Sequence, residues 1–239
     1  MMTAPVDPGT IAWPSVRGKV ARFTRLDSCG RPVVGAHSVL VTDGFTEITA
    51  SPQFAEGNEI TVTKANGRVC INDKADDTLN RYDISITCCA VNPALKGLTC
   101  GYEQVLDYAG RAVGFRVGED VNAEGVAVEV WSDVVPEEEC AEGAVGQWGY
   151  FLIPRIVSMR TSSDFQFQND ALSVQLAGRT KRPAWGTGPY NVVGTGTNGT
   201  TPGKLLTPLG KKQHLHAQLT TIAPPDPEDY PEGTFALTA

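Results

Sequence analysis

The sequence lacks the features that would mark a membrane, secreted or disordered protein. No apolar run approaches the roughly 18–20 residues that a membrane helix needs, so we expect no membrane-spanning segment. The opening residues, MMTAPVDPGTIAWPSVRGK, contain neither the charged start nor the apolar stretch of a signal peptide, and we expect a protein made and assembled in the cytoplasm. Hydrophobic residues make up 41% and charged residues 20% of the chain, which indicates a folded globular protein.

Signatures of catalysis and of metal binding are also missing. The chain carries no GxSxG elbow, no HExxH helix and no catalytic-cysteine signature. Two of its three histidines, His214 and His216, would share one face of a strand and could both touch a metal. A zinc site needs a third protein ligand, however, and the remaining histidine, His37, is far away in sequence. We therefore expect no enzymatic activity, no metal and no cofactor.

The six cysteines show no CxxC spacing, and a reducing compartment favours thiols over disulfides. We therefore predict structural thiols at Cys29, Cys70, Cys88, Cys89, Cys100 and Cys140. Cys88 shares one face of an alternating strand with Tyr82, Ile84 and Ile86, which predicts a small core residue. The acids of NDKADD, residues 72–77, lack the glycine and the twelfth-position glutamate of a calcium loop, so we interpret them as solvated.

Two further patterns have a functional and a structural interpretation. GTGTNG at 194–199 matches GxGxxG, but the TTPGKLLTPLG that follows has little helical character, so we predict a flexible loop over 186–203 rather than a nucleotide site. The four tryptophans, at 13, 131, 148 and 185, could line a sugar-binding face. We favour the alternative that each of them fills part of a core or an interface.

Short strand-like runs separated by glycine and proline predict an all-β sandwich or barrel. One short helix is expected at NPALKGL, with Asn92 as N-cap and Pro93 in the first turn. Asn66-Gly67 between alternating residues predicts a β-hairpin with a type I′ turn. Pro52 cannot donate a ladder hydrogen bond, which places its strand at an edge or a bend.

The chain divides by composition into three parts. Residues 1–16 read as an extended N-terminal arm, residues 17–223 as the β domain, and residues 224–239 as a Pro-rich C-terminal tail. The net charge of −7 is unevenly spread, with nine acids and no lysine or arginine between Arg116 and Arg155. The region 171–225 has six basic residues and no acid. An acidic chain argues against a nucleic-acid partner, so we expect complementary surfaces on identical neighbours.

The chain contains KVARFTRLDSCGRPVVG, then FTEITASPQFAEGNEITVTKANGRVCINDKADDTLNRYDISITCCAVNPAL, and finally RPAWGTGPYNVV. Together these stretches resemble the major tail tube proteins of long-tailed phages, particularly those of actinobacterial hosts. The resemblance runs from about residue 17 to 193, and EGNEITVTKANGR and RYDISITCCAVNPAL are its most specific parts.

The resemblance implies a structural virion protein without a catalytic site or cofactor. Its subunits would form hexameric rings that stack helically into a hollow tube, through which genomic DNA passes transiently. A long hairpin from each subunit would join those of its neighbours in a continuous barrel around the lumen. The implied partners are further copies of the chain, the tape measure protein, the tail terminator and the baseplate or tail-tip proteins.

On this basis we predict that residues 45–72 supply the ring-closing strands. Their apolar side chains, Ile48, Ile60 and Val62, would face the core of their own subunit. Their polar side chains would line the lumen: Glu47, Thr49, Glu59, Thr61 and Thr63. An acidic, polar lumen repels DNA phosphates and so lets the genome slide.

The charge map predicts a second contact, between stacked rings, in which the acidic span 117–142 meets the basic span 179–212. The residues expected there are Glu119, Asp120, Glu137, Glu138, Arg179, Lys181, Arg182, Lys211 and Lys212. Three alternatives stay open: a capsid-decorating or head–tail joining protein, a carbohydrate-binding β-sandwich, and a hydrolase with scattered carboxylates. The last has no positive sign in the sequence, because no two acids are singled out.

Overall fold

A computed structural model describes most of the chain. It covers residues 13, 15–89, 92–119, 124–134, 147–162, 173–184, 186–196, 199–227 and 235–237. These residues form fifteen strands and one helix. In chain order the elements are β1 (Ser15–Leu26), β2 (Gly35–Thr42), β3 (Phe45–Ala55), β4 (Glu59–Thr63), β5 (Val69–Lys74), β6 (Thr78–Cys88), α1 (Pro93–Cys100), β7 (Glu103–Leu106), β8 (Ala112–Arg116), β9 (Gly125–Val134), β10 (Trp148–Thr161), β11 (Val174–Thr180), β12 (Asn191–Thr195), β13 (Thr201–Lys204), β14 (His216–Thr220) and β15 (Phe235–Leu237).

A nine-stranded antiparallel sheet dominates the fold, which confirms the predicted all-β class. Its strand order is β15-β2-β1-β9-β10-β11-β6-β3, and β14 also pairs with β10. The long strand β10 is shared: its first half pairs with β14 and its second half with β11. Three two-stranded hairpins, β4-β5, β7-β8 and β12-β13, complete the strands. β3 lies at one edge of the sheet and contains Pro52, as the missing amide hydrogen predicts.

The sheet is covered on both faces, so the central strand β9 is buried on both. Val126 and Val128 of β9 belong to one hydrophobic cluster, which includes Leu95 and Leu98 of α1. Residues with the opposite orientation, such as Trp131, belong to a second cluster. The β12-β13 hairpin and the segment after it close this second cluster with Tyr190, Val192, Leu205 and Leu209. Two-sided burial explains why GVAVEVW reads as an almost continuous apolar run.

A buried carboxylate interrupts the second cluster. The side chain of Glu129 is fully buried and accepts two hydrogen bonds from Arg22, at 2.6 Å each. The Tyr150 hydroxyl donates a third bond to Glu129 at 2.7 Å. Burial, and then the charge of Glu129, raise the pKa of Tyr150 well above its ordinary value, so this phenol remains a donor. These three hydrogen bonds satisfy the buried Glu129 carboxylate.

The helix α1 forms where the cap signals placed it. Asn92 is the N-cap, and its side chain accepts a hydrogen bond from the Leu95 amide at 3.0 Å. Gly101 ends the helix in the left-handed conformation. Lys96 is 2% exposed and reaches Thr161 Oγ1 with its Nζ at 2.7 Å. Burial lowers the pKa of this lysine.

Three hairpin turns share one backbone design. In each, a glycine with positive φ donates its amide to the carbonyl three residues earlier: Gly30 to Asp27, Gly67 to Lys64 and Gly110 to Asp107. An arginine follows each of these glycines in the sequence. At Asn66-Gly67 only the glycine has positive φ, so the predicted type I′ turn is wrong. The hairpin is present, but its loop is longer, and the pairing of β4 with β5 shifts register between Val62 and Thr63.

Two segments predicted to be irregular are partly β-structure. The Gly/Thr-rich segment 186–203 contains β12 and the start of β13. Between these strands the Gly199 amide donates a hydrogen bond to the Gly196 carbonyl, as in a turn. Since β12 leads into β13 and not into a helix, GTGTNG has no dinucleotide-binding context. In the C-terminal tail, Phe235–Leu237 pairs with β2 at the other edge of the sheet. Of the N-terminal arm, Trp13, Ser15 and Val16 are described, and β1 begins at Ser15, inside the predicted 1–16 boundary.

Candidate interaction surfaces

The long hairpin extends further along the chain than residues 45–72. β3 pairs with β6, from Phe45 opposite Cys88 to Ala55 opposite Thr78. β4 and β5 continue the same hairpin outward, and we call residues 56–77 the arm. At its base Ala75 donates its amide to Asn58 at 3.0 Å. A Cβ at Gly57 would lie 1.6 Å from the Ala75 carbonyl oxygen, so this close approach requires glycine.

The arm makes no hydrophobic core with its own subunit. Every residue from 58 to 80 is exposed. Ile60 and Val62 are 52% and 45% exposed, so the prediction that they face the subunit's core is wrong. Ile48, by contrast, does pack against the first cluster. Burial of Ile48 and exposure of Ile60 have one cause: the first cluster reaches β3 but includes no residue of the arm.

The alternation of the arm nevertheless gives it two different faces. Val62 lies opposite Ile71, and Ile60 is two residues earlier on the same face. Val69 and Ile71 are also about half exposed, at 57% and 51%. At the root of the arm another exposed apolar pair, Phe54 and Leu79, lies in register. A two-stranded hairpin with this much exposed apolar surface and unpaired edges is a typical site for association.

The residues predicted to face the lumen occupy the polar faces of the same long hairpin. In β3, Thr49 donates its hydroxyl to Glu47 at 2.9 Å. In β4, the Thr61 hydroxyl lies 3.4 Å from a Glu59 carboxylate oxygen and 3.2 Å from Asn72 Oδ1. Glu47, Glu59, Thr61 and Thr63 are exposed and Thr49 is half-buried. Whether they face a lumen depends on neighbouring copies and stays a prediction.

The polar face of β3 continues across the sheet. Thr49 lies opposite Ser85 of β6, Ser85 opposite Ala177 of β11, and Ala177 opposite Arg160 of β10. The next row joins Ser51, Asp83 and Arg179 in the same way. Directly opposite residues share a face of the sheet. The face that carries Glu47 and Thr49 therefore also carries arginines, and it is not uniformly acidic.

These arginines line an open groove along β6, β10 and β11, which we call the basic groove. It consists of two clefts of about 640 and 610 Å³ that share Arg81, Ser158 and Arg179. Its basic side chains are Arg81, Arg155, Arg160, Arg179, Lys181 and Arg182. Asp83, paired with Arg81 at 3.0 Å, is the one carboxylate among the described residues that line it.

The floor of the groove is a fixed positive charge. Arg155 is 8% exposed and donates from one terminal nitrogen to the Ser28 carbonyl at 2.9 Å. Its other terminal nitrogen donates to the Arg182 carbonyl at 3.4 Å. Both partners are neutral oxygens, and no salt bridge between described residues includes Arg155. Gly30 lies against this guanidinium, where a Cβ would come within 2.8 Å.

The two close histidines do not form a metal pair. His214 precedes β14, is 7% exposed and hydrogen-bonds Thr180 Oγ1 through Nδ1 at 2.8 Å. Burial, and then the charge of Arg182, lower the pKa of His214, so it is neutral at pH 7. His216 instead approaches Gln218 and the ring of Tyr150. Within the described ranges no three metal-ligating side chains come together.

The cysteines and tryptophans take structural positions. The five described cysteines are free thiols, and Cys140 lies outside the described residues. Burial raises the pKa of Cys88 and of Cys100, which keeps both thiols protonated and unreactive. Trp131 is 1% exposed and belongs to the second cluster, against which Trp148 also packs. The ring centroids of Trp13 and Phe151 lie 5.6 Å apart. These three rings fill packing positions, and Trp185 lies outside the described residues.

The charged residues predicted between rings are only partly placed. Arg179, Lys181 and Arg182 come together in the basic groove, while Lys211 and Lys212 are exposed beside the turn that ends at Gln213. Glu119 is exposed. Asp120, Glu137 and Glu138 lie outside the described residues. The acidic half of this contact therefore stays a prediction.

No protein-family model matches the chain, and no curated protein matches it significantly. No helix among the described residues is long and apolar enough to span a membrane. The features of the protein that bear on its function are the arm, the sheet edges and the basic groove.

Proposed function

We propose that this protein is a structural subunit that assembles with copies of itself into stacked rings, forming the hollow tail tube of a long-tailed phage. The observation that carries the proposal is the arm. It extends a hairpin of the main sheet, exposes apolar side chains along one face, and leaves both of its strand edges without partners among the described residues. Such a hairpin becomes stable when an identical neighbour covers it.

The position of the sheet edges supports closure into a ring. β3 forms one edge of the sheet and β15 the other, so the two edges present different residues. A contact between unlike surfaces of identical subunits is head-to-tail, and it gives a closed ring when the rotation divides a full turn. Arms that pair side by side around such a ring would form a continuous barrel without free edges.

The same arrangement accounts for the polar face of the long hairpin. With the apolar face of the arm against neighbouring subunits, Glu59, Thr61 and Thr63 would point into the central channel. Threonine hydroxyls and carboxylates offer DNA phosphates no fixed positive charge, so DNA would not be held there. Rings of this kind would stack through complementary charge, for which the acidic span 117–142 and the basic span 179–212 are the candidates.

Negative-stain electron microscopy of the purified protein tests the proposal. We expect rings at low concentration, and stacked rings or filaments with a central channel as the concentration rises. Single rings that never stack would favour a head–tail joining protein instead. A protein that remains monomeric at every concentration contradicts the proposal altogether.

The lumen assignment has its own test in assembled particles. Thr61→Lys with Thr63→Lys would place twelve lysines in each hexameric ring of the proposed tube, and their counterion release on contact with phosphates should slow or block DNA ejection. Thr61→Ser with Thr63→Ser is the matched control, because it keeps the hydroxyls and adds no charge. Normal ejection from the lysine variant would show that these positions do not face the channel.

A further inference from the structure

The basic groove is a concentrated positive surface on an acidic protein. Six arginine and lysine side chains line it, out of 20 in the whole chain, against 27 acids. Five of these six make no salt bridge with any described residue, namely Arg155, Arg160, Arg179, Lys181 and Arg182. Positive charge focused in an open cleft attracts an anionic partner.

The arm supplies a segment of the opposite charge. The part of it nearest its root, which we call the waist, carries five carboxylates and one lysine: Glu56, Glu59, Asp73, Lys74, Asp76 and Asp77. All six residues are exposed, and none of them forms a salt bridge with another described residue. No waist residue lines the basic groove of its own chain. Among the described residues of one subunit, the waist carboxylates and every groove cation except Arg81 are therefore left without charged partners.

We propose that the basic groove of one subunit binds the acidic waist of the arm of a neighbouring copy. The inference rests on the proposed assembly, and it names a partner for the groove that differs from the acidic span 117–142. Arginine guanidinium groups bind carboxylates with two parallel hydrogen bonds, so the contact would fix the register of the neighbour as well as attract it.

The position of the groove gives this contact a second consequence. The groove lies on the same face of the sheet as Glu47 and Thr49, which we assign to the channel side. An uncovered cluster of arginines there would hold phosphodiester groups and oppose the passage of DNA. Covered by carboxylates from the next subunit, the same cluster is neutral towards DNA. The waist would thus serve both as an assembly contact and as a charge shield.

Charge reversal on each side, followed by their combination, tests the proposal. The groove variant is Arg179→Glu with Lys181→Glu, and the waist variant is Glu56→Lys with Asp76→Lys. Asp77 is left unchanged, because its carboxylate accepts a hydrogen bond from the Gly57 amide. The critical concentration for assembly, measured by light scattering and sedimentation at about 0.15 M salt, is the readout.

We expect each reversal to raise the critical concentration at least about tenfold, and the combined variant to return to within about threefold of the wild type. Arg17→Glu with Arg31→Glu is the matched control, since it makes the same change in charge at exposed positions outside the groove and outside the basic span 179–212. Arg179→Gln with Lys181→Gln replaces the groove variant if that variant does not fold, as judged by circular dichroism.

Several results would overturn the inference. One is a combined variant that assembles no better than the single reversals. Another is rescue of the groove variant by Glu119→Lys instead of by the waist changes, which would return the groove to the acidic span 117–142. Unchanged assembly, together with loss of binding to a short DNA duplex, would make nucleic acid the occupant. In all three cases wild-type tubes would still form, whereas a wild type that never assembles refutes the proposed function and this inference together.

Discussion

Replacing Ile60 and Val62 with threonine removes apolar surface from the arm and leaves the two hydrophobic clusters of the subunit untouched. Threonine is β-branched and keeps the strand propensity of the arm. Neither residue belongs to a cluster, so the free energy of unfolding of the single subunit should change by less than about 0.5 kcal/mol. Any larger effect of the double substitution has to arise between subunits.

The size of that effect follows from exposure. Full burial of an isoleucine or valine side chain contributes about 1.5–3 kcal/mol. Ile60 is 52% and Val62 45% exposed in the isolated chain, so about half of this contribution is still available to an interface. The two residues together would then contribute about 1.5–3 kcal/mol per contact. This corresponds to an increase of about tenfold to a hundredfold in the critical concentration of the variant.

The assay is a concentration series followed by light scattering, with electron microscopy of the same samples. Leu106→Thr with Val113→Thr is the matched control, because these residues are 57% and 59% exposed on the β7-β8 hairpin, outside the arm. The control should assemble like the wild type. If the arm variant assembles at the wild-type concentration, the arm is not buried between subunits and the argument from its exposure fails.

Three further predictions concern the subunit itself and are measured by chemical unfolding. Asn92→Ala removes the cap bond to Leu95 and should lower the free energy of unfolding by about 1 kcal/mol. Glu129→Gln removes the carboxylate that pairs with the Arg22 guanidinium, and we expect the free energy of unfolding to fall by about 3 kcal/mol. This value is at the lower end of the range for buried pairs, because the Arg22 side chain is still 24% exposed. Because the pKa of His214 lies below its ordinary value of 6.5, the unfolded chain binds more protons as the pH falls through that value. Wild-type stability should therefore fall more than that of His214→Gln between about pH 7.5 and 5.5, and equal losses would contradict the assignment.

Local signals in the sequence predicted local structure well. Asn92 and Pro93 begin α1, Pro52 lies in an edge strand, and Cys88 is buried in the alternating strand β6. Each of these outcomes depends on backbone chemistry within a few residues, which the sequence shows directly. A glycine followed by arginine occurs in three turns of the same design, at 30–31, 67–68 and 110–111, but also inside β11 at 178–179, so this pair of residues does not by itself predict a turn.

Contacts between distant parts of the chain were predicted less well, for a physical reason. Alternation reveals that Ile60 and Val62 share a face, but it does not show what covers that face. The separation of His214 from His216 depends on where β14 begins and on Thr180 of β11, which is far away in sequence. The Phe235–Leu237 strand pairs with β2 from the other end of the chain, and nothing in the Pro-rich tail indicates it.

The amino-acid sequence alone therefore determined the all-β class, the helix α1, the hairpin of the arm and the segregation of charge along the chain. Periodicity, caps and composition act over short distances and need no knowledge of neighbours. Only the tertiary structure decided that the arm extends beyond the core, and that Arg81, Arg155, Arg160 and Arg179 meet in one groove. These arginines come from β6, β10 and β11, and only the pairing of those strands brings their side chains to one face.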